Sequence, residues 1–190
     1  MTSALAPIVT YGVTAFVLDH ANERQWEQTK CGRVALNLSI QFALSLWSGN
    51  IGPAEPNDDI VSLFLRIAVA AAVLDVLFGG VHRLFHAVPL LWEIHREHHS
   101  MPSADLAAYE TFFCNPIEHI ACNLFPVALS AWVSGMSNSL AVVFFCYATY
   151  GSVSAHSARD SYHFVHHAKP DSHYGLGGLF TQWVEECMLA

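Results

Sequence analysis

The sequence predicts an all-α integral membrane protein with about four to five transmembrane or partly inserted helices and a histidine-rich helical cap on the cytosolic side. Hydrophobic residues make up 53% of the 190 residues and charged residues only 13%, about half the charged fraction of ordinary soluble domains. Five apolar stretches are separated by short polar ones. The chain also contains twelve histidines, most of them in two segments that follow apolar stretches.

The apolar stretches predict the membrane helices one after another. The first lacks a positively charged leading region, so we expect no cleaved signal peptide there. The second carries Asn37, Ser39 and Gln41 and is the weakest candidate, whereas the third reaches the ~20 residues that span a bilayer. The fourth and fifth, separated by the turn-like GMSN, predict a helical hairpin of partial depth. In order, they cover residues 3–18, 34–48, 60–81, 120–135 and 138–155.

The few basic residues predict the orientation. Loop 19–33 contains Arg24, Lys30 and Arg33, and the histidine-rich segments contain four further bases, whereas loop 49–58 is acidic and has none. Because cytosolic loops carry an excess of Lys and Arg, loop 19–33 and both histidine-rich segments should share the cytosolic side. Five spans with the N-terminus outside satisfy this alternation, and so do four spans with an interfacial first segment.

Length and charge limit the organisation and the function classes. We expect a single domain over 1–190, with N-terminal membrane segments in 1–59 and a histidine-motif catalytic region in 60–190. The net charge of −8 leaves no basic surface for nucleic acid. Five cysteines without a CxxC pair indicate reduced, buried thiols. The glycine cluster GLGG at 175–178 indicates a turn rather than a nucleotide site.

The spacing of the histidines predicts a metal centre. His82 and His86 are four residues apart and share a helix face, and two HxxHH motifs should each present one face in the same way. Eight imidazoles can then converge at one depth near the cytosolic surface, more than one tetrahedral zinc needs and enough for two ions. Imidazole alone does not select the metal. The two HxxHH motifs are His95, His98 and His99, and His163, His166 and His167.

The ordered motifs resemble a known family. The chain contains, in order, the motifs HRLFH, HREHH and HFVHH, and HYG follows the last of them after five residues. The stretches around these motifs are DVLFGGV, PLLWEI, NPIEH and AHSARDSY. Together they are similar to the motifs of the sterol desaturase and fatty acid hydroxylase superfamily of membrane oxygenases. The resemblance runs from about Asp75 to Trp183. It implies a di-iron centre that uses O2 and two electrons, commonly delivered by cytochrome b5 or a reductase, to hydroxylate or desaturate a lipophilic substrate such as a sterol, a fatty acyl lipid or an apolar secondary metabolite.

The resemblance also implies a ligand set and a location. In a eukaryote the protein would lie in the endoplasmic reticulum membrane, among membrane lipids, with its histidine clusters facing the cytosol. His156, in AHSARD, matches a histidine that the family often places before its last motif. The implied iron ligands are His82, His86, His95, His98, His99, His156, His163, His166 and His167.

Four further residues are candidates for additional ligands or for groups that orient ligands: Asp75, Glu118, His119 and His173. Asp75 shares a helical stripe with His82 and His86. It either orients a ligand imidazole or pairs with a polar group on another helix.

The sequence departs from the family pattern at two positions. His173 replaces the Asn of NYG, and Asn115 stands where a His often precedes the proline. A catalytically inactive relative is therefore one alternative. A metal-binding membrane protein without catalysis is a second, separate alternative.

Overall fold

The computed structural model describes residues 2–23, 26–48, 59–100, 106–157, 161–175 and 178–189. These residues form helices and turns and contain no β-strand. The acidic loop 49–58, Arg24 and Arg159, which helped to predict the orientation, lie outside the described residues. The nine α-helices of the described ranges are α1 Thr2–Ala21, α2 Gln28–Ser48, α3 Ile60–Ala87, α4 Pro89–His95, α5 Pro116–Glu118, α6 Phe125–Val133, α7 Asn138–Ser157, α8 Tyr162–Ala168 and α9 Leu179–Leu189.

Each of the five apolar stretches forms a helix, and two of these are long and apolar enough to cross a membrane. Residues Ser3–Ala21 have a mean hydropathy of 1.3 and Ile60–Ala87 of 2.3. Large apolar side chains such as Val13 and Phe64 project from these helices, as expected for surfaces that contact lipid. Four or five spans, and the cytosolic position of the cap, stay predictions.

Helix α3 determines where the first histidines lie. Its 28 residues correspond to about 42 Å, longer than the ~30 Å hydrocarbon core of a bilayer. Helix α3 continues without a break through His82 and His86. It ends before Pro89, which lacks an amide hydrogen and begins α4. The last turns of α3 therefore carry their histidines beyond the apolar run.

The predicted hairpin forms around the GMSN turn. Gly135 adopts φ +68°, and the Met136 amide donates to the Ala131 carbonyl at 3.0 Å, the pattern that ends a helix at a left-handed glycine. Arg66 of α3 donates to the carbonyls of Ser134 and Gly135 at 3.0 and 2.6 Å. Helix α3 thus holds the tip of the hairpin.

A short 3-10 segment, Ala108–Phe112, links the N-terminal helices to the histidine half of the chain. Asp19 of α1 accepts from the backbone amides of Ala108 and Tyr109 at 2.6 and 3.0 Å. Asn37 of α2 donates to the carbonyls of Phe112 and Cys114, both at 2.9 Å. Asn37, which makes α2 a weak membrane helix in the sequence, is thus a buried contact to this segment. All five cysteines are free, but the prediction of buried thiols holds only for Cys114 and Cys122, since Cys31 and Cys146 are partly buried and Cys187 is exposed.

Candidate metal centre

The structure brings the nine predicted histidine ligands together in two adjoining groups. Within each group the candidate ligand atoms lie within 4.8 Å of one another. The rings of His99 and His167, one from each group, are 4.6 Å apart between centroids. The first cluster comprises His82, His86, His95, His99 and His166, and the second cluster comprises His98, His156, His163 and His167.

Each HxxHH motif divides its histidines between the two clusters, so the prediction of one face per motif was wrong. Helix α4 ends at His95, and His98–Ser100 form a 3-10 turn, which sends His98 to the second cluster while His95 and His99 join the first. On α8, His166 and His167 are neighbours and point about 100° apart. They therefore contribute to different clusters.

The nitrogens of the first cluster are arranged for a shared cation. His95 Nε2 lies 3.0 Å from the Nε2 atoms of three rings, those of His82, His86 and His99. His166 Nε2 is 3.1 Å from those of His86 and His99. A neutral imidazole nitrogen carries either one proton or one lone pair, so it cannot satisfy three such neighbours by hydrogen bonding. A metal ion satisfies all five.

The spacing also bears on the type of ion. Two nitrogens about 2.1 Å from one ion stand ~3.0 Å apart at right angles and ~3.4 Å apart in a tetrahedron. The first cluster has the right-angled spacing, and its five donors exceed a tetrahedral set. This donor set fits an ion such as iron better than a structural zinc.

The second cluster also has the properties of a metal site. His98 Nε2 and His156 Nε2 are 3.2 Å apart. His163 and His167 are buried, and neither ring nitrogen of His167 has a hydrogen-bond partner within the described part of the chain. Buried polar atoms are normally satisfied, so these unpaired nitrogens fit metal ligands.

Backbone carbonyls orient four of the rings. Nδ1 of His82 and of His166 lies 2.6 Å from the carbonyls of Tyr174 and Ser172. The corresponding distances are 2.7 Å from His156 to Ser152 and 3.3 Å from His98 to Phe113. Because a carbonyl only accepts, Nδ1 carries the proton and the lone pair is on Nε2, which faces the cluster.

Burial keeps the imidazoles neutral. It is the largest cause that lowers the pKa of His98 and of His166 to about 4, and it lowers the pKa of His163 far below its usual value. Neutral imidazole is the form that binds metals. The site is thus prepared as a set of uncharged donors at neutral pH.

Glu118 lies directly behind the first cluster. Its Oε1 is 2.8 Å from His95 Nδ1, and both side chains are buried. Burial raises the pKa of the Glu118 carboxyl well above its usual range. Of the two roles considered for Glu118, the contact supports orienting a ligand, in the arrangement of carboxylate, histidine and metal known from many sites.

His173 is part of the turn that orients His82 and His166. It lies in neither cluster of described residues, and it adopts φ +63°. This left-handed conformation is disfavoured for most residues but is enriched in Asn, Asp and His. The departure from Asn therefore preserves the turn that presents the Ser172 and Tyr174 carbonyls. Asn115, the other departure, accepts from the Ile117 amide at 3.0 Å and caps α5.

Asp75 has a structural partner, the second of the roles considered for it. It accepts from the Thr181 amide at 3.0 Å and the Thr181 hydroxyl at 2.6 Å, and so joins α3 to the first turn of α9. A Cβ on Gly79 would lie 2.6 Å from Thr181 Cγ2. The glycines around this contact allow the two helices to approach closely.

His119 does not join the histidine clusters of the described residues. It is fully buried and packs against the Phe112 ring at 4.8 Å between centroids. It opens a π-helical turn, His119–Leu124, a feature that often marks functional sites. This turn and the four carbonyl partners could not be predicted from the sequence, because backbone groups leave no compositional signal.

Comparison with known proteins gives a consistent result. The fatty acid hydroxylase family model matches residues 67–188. The chain is 28% identical over 122 residues to fatty acid hydroxylase domain-containing protein 2 of Homo sapiens, covering 60% of this chain and 36% of that protein.

Two plant relatives match a similar share of the chain. It is 28% identical over 140 residues to sphinganine C4-monooxygenase 2 of Arabidopsis thaliana (65% and 53%), and 30% identical over 142 residues to very-long-chain aldehyde decarbonylase GL1-9 of Oryza sativa subsp. indica (65% and 54%). The chain thus spans between about a third and about half the length of these relatives. No solved structure matches it significantly.

Proposed function

Because the chain belongs to the fatty acid hydroxylase family, we propose that it is a membrane-bound monooxygenase that hydroxylates a lipophilic substrate with O2 and two electrons at a di-iron centre. The observation that carries this proposal is the pair of adjoining clusters, with five and four neutral histidine donors. The family and its monooxygenase members support an oxygenase that acts on lipids.

The two clusters would hold one iron ion each. Iron bound there would supply the O2 activation that an unactivated C–H bond requires. The residues of the chain prepare this chemistry: carbonyls at Tyr174, Ser172 and Ser152 hold protons on Nδ1, and burial excludes water from the donors. Glu118 supplies a carboxyl group next to His95 that can offset the positive charge of a bound ion.

The position of the clusters suits a substrate and an electron donor that arrive from different phases. They lie at the end of α3, where the apolar run ends, and a cavity of about 230 Å³ lies between α3 and α7. We propose that the lipid enters laterally and that cytochrome b5 or a reductase delivers electrons at the aqueous face. In a eukaryote this face would be the cytosolic side of the endoplasmic reticulum.

Metal content per chain tests the proposal first. Full-length protein purified in detergent and loaded with Fe(II) should contain two iron ions per chain. His95→Ala and His98→Ala, one from each cluster, should each lose about one ion, whereas His20→Ala, at an exposed histidine on α1, should retain both. Reductant and O2 should then yield hydroxylated lipid, detected by mass spectrometry.

Each failure has a distinct meaning. One iron ion or none in the wild type contradicts the di-iron centre and favours a metal-binding protein of another kind. Two ions with no O2-dependent product from any class of lipophilic substrate favour the catalytically inactive relative.

A further inference from the structure

A small buried cavity lies on the membrane side of the metal centre. It holds about 30 Å³ between α2, α3, α7 and the π-helical turn. Leu74 and Phe78, which line it, precede His82 by eight and four residues. These separations correspond to about two turns and one turn of α3, or ~12 and ~6 Å. These two lining residues therefore lie about 6–12 Å from His82 along the helix axis.

Gln41 lines this cavity and carries an unpaired polar atom. The side chain is 2% exposed, it lines the cavity, and its Oε1 has no hydrogen-bond partner among the described residues. An unpaired acceptor in an apolar interior is costly. Its persistence at the wall of a cavity points to a hydrogen-bond donor that occupies the cavity.

The cavity shares three lining residues with the space next to the metal centre. Phe78, Asn123 and Ser152 line it and also line a second cavity, of about 20 Å³, that is bounded by histidines of both clusters. Asn123 belongs to the π-helical turn. A molecule whose polar group reaches Gln41 would therefore place neighbouring atoms against the same wall as the metal ligands.

The other side of the cavity connects to an apolar space. Leu74, Phe78 and Ala148 also line the cavity of about 230 Å³ between α3 and α7. Tyr147 at its edge is 67% exposed on a helix surface that faces outward. Asp75, which is paired with Thr181, forms part of the wall, but the other lining residues are mostly apolar, so this space fits an alkyl chain.

We propose that Gln41 is a specificity-determining residue that accepts a hydrogen bond from a hydroxyl group of a long-chain lipid substrate. The proposal rests on the function proposed above, which places the oxidised carbon near the clusters. Because Gln41 Oε1 accepts, its ligand must donate. Hydroxyl groups meet this requirement, whereas esters, ethers and aldehydes do not.

A matched pair of probes tests this inference. The binding of 1-hexadecanol and of its methyl ether, 1-methoxyhexadecane, is measured on iron-loaded, detergent-purified full-length protein. The two differ at the hydroxyl proton, so the alcohol should bind about fivefold more tightly, the value of one net hydrogen bond. Gln41→Leu should lower the affinity for the alcohol to that for the ether and leave the ether unchanged. Ser39→Ala, on the exposed face of the same helix, should preserve the discrimination.

The outcomes separate this inference from the proposed function, because iron content is measured in every preparation. Wild-type protein with two iron ions that binds both probes equally, or neither, overturns the hydroxyl site and means that water alone fills the cavity, while the di-iron proposal stands. Wild-type protein without its iron contradicts the proposed function itself. The wild-type comparison decides the matter even where Gln41→Leu fails to fold.

Discussion

His95 is the residue on which the first cluster depends most. Three other ligand nitrogens lie 3.0 Å from its Nε2, and Glu118 lies 2.8 Å from its Nδ1. A carboxylate behind a ligand histidine fixes the ring and makes it a stronger donor. The contribution of Glu118 to metal binding can therefore be measured separately from that of the ligand.

Replacing Glu118 with Gln keeps the shape of the side chain and prevents it from ionising when a cation binds nearby. We expect metal affinity at the first cluster to fall about 10–100-fold, while the second cluster keeps its ion. Competition with a chelator, followed by metal analysis, measures this. Glu93→Gln is the control, because Glu93 pairs with Arg96 at the surface. Equal metal retention by both variants would show that the carboxylate does not support the ligand.

At position 173 the conformation of the backbone should matter more than the side chain. His173→Asn should retain both ions, since Asn also tolerates a positive φ. His173→Val should weaken the first cluster, because a β-branched residue at φ +63° costs about 1–3 kcal/mol and shifts the Ser172 and Tyr174 carbonyls. Metal content and the thermal unfolding midpoint report the two effects. If Val retains both ions as well as Asn does, the turn does not orient the ligands.

The nine candidate ligands could be named from the sequence, but their division between two clusters could not. Nine histidines were named from spacing and resemblance, and all nine converge. Their partition depends on where α4 stops, and a change from α to 3-10 geometry after His95 is a local tertiary effect. The position of Gln41 at a cavity wall could not be predicted either. In the sequence, Gln41 only makes α2 a weaker candidate for a membrane helix.

Among the elements, α9 is joined to α3 by a close polar contact. Asp75 accepts two hydrogen bonds from Thr181, near the positive end of the α9 dipole. This contact fixes α9, which follows the turn that orients His82 and His166, against α3. The sequence placed Asp75 on the correct stripe of α3, but its partner, more than a hundred residues later, could not be read from a local pattern.

Two adjacent glycines of α3 test this packing. Gly79→Ala should destabilise the protein by about 1–3 kcal/mol through overpacking, because the added methyl group would overlap Thr181. Gly80→Ala, whose methyl group would meet nothing within 4 Å, should be neutral or stabilise the helix by up to about 1 kcal/mol. Thermal unfolding in detergent measures both. Equal effects of the two substitutions would mean that the contact with α9 does not limit position 79.

At the scale of the whole molecule, the N-terminal helices support the metal half although they lie mostly outside the family match at residues 67–188. Asp19 and Asn37 hold the 3-10 segment, and the Phe113 carbonyl that follows it orients His98. The membrane helices were predictable from hydropathy. Their polar contacts to the site were not, because each joins residues far apart in the chain.

The stability of the whole protein should depend on pH through its histidines. Burial lowers the pKa of His98 and His166 to about 4, below the ~6.5 of an exposed histidine. Between these values the unfolded chain binds more protons than the folded one. The free energy of unfolding of the metal-free protein should therefore fall as the pH drops from about 6.5 towards 4.

Thermal unfolding of chelator-treated protein across this pH range measures the effect. Iron-loaded protein should hold its unfolding midpoint to a lower pH, because bound ions compete with protons for the same nitrogens. A midpoint that is independent of pH in the metal-free protein would show that the histidines are not buried as neutral groups.

Helix α3 also sets the distance between the lipid-facing surface and the first histidines. One continuous helix of 28 residues carries both the lipid-facing surface and the first histidines, so the height of the metal centre is fixed relative to the anchor that sits in the bilayer. A thicker or thinner lipid layer changes the tilt of such a helix, and the histidine clusters would move with it, deeper into the headgroups or further from them. Under the proposed function, the position that is oxidised along a lipid chain would then depend on the membrane as well as on the protein.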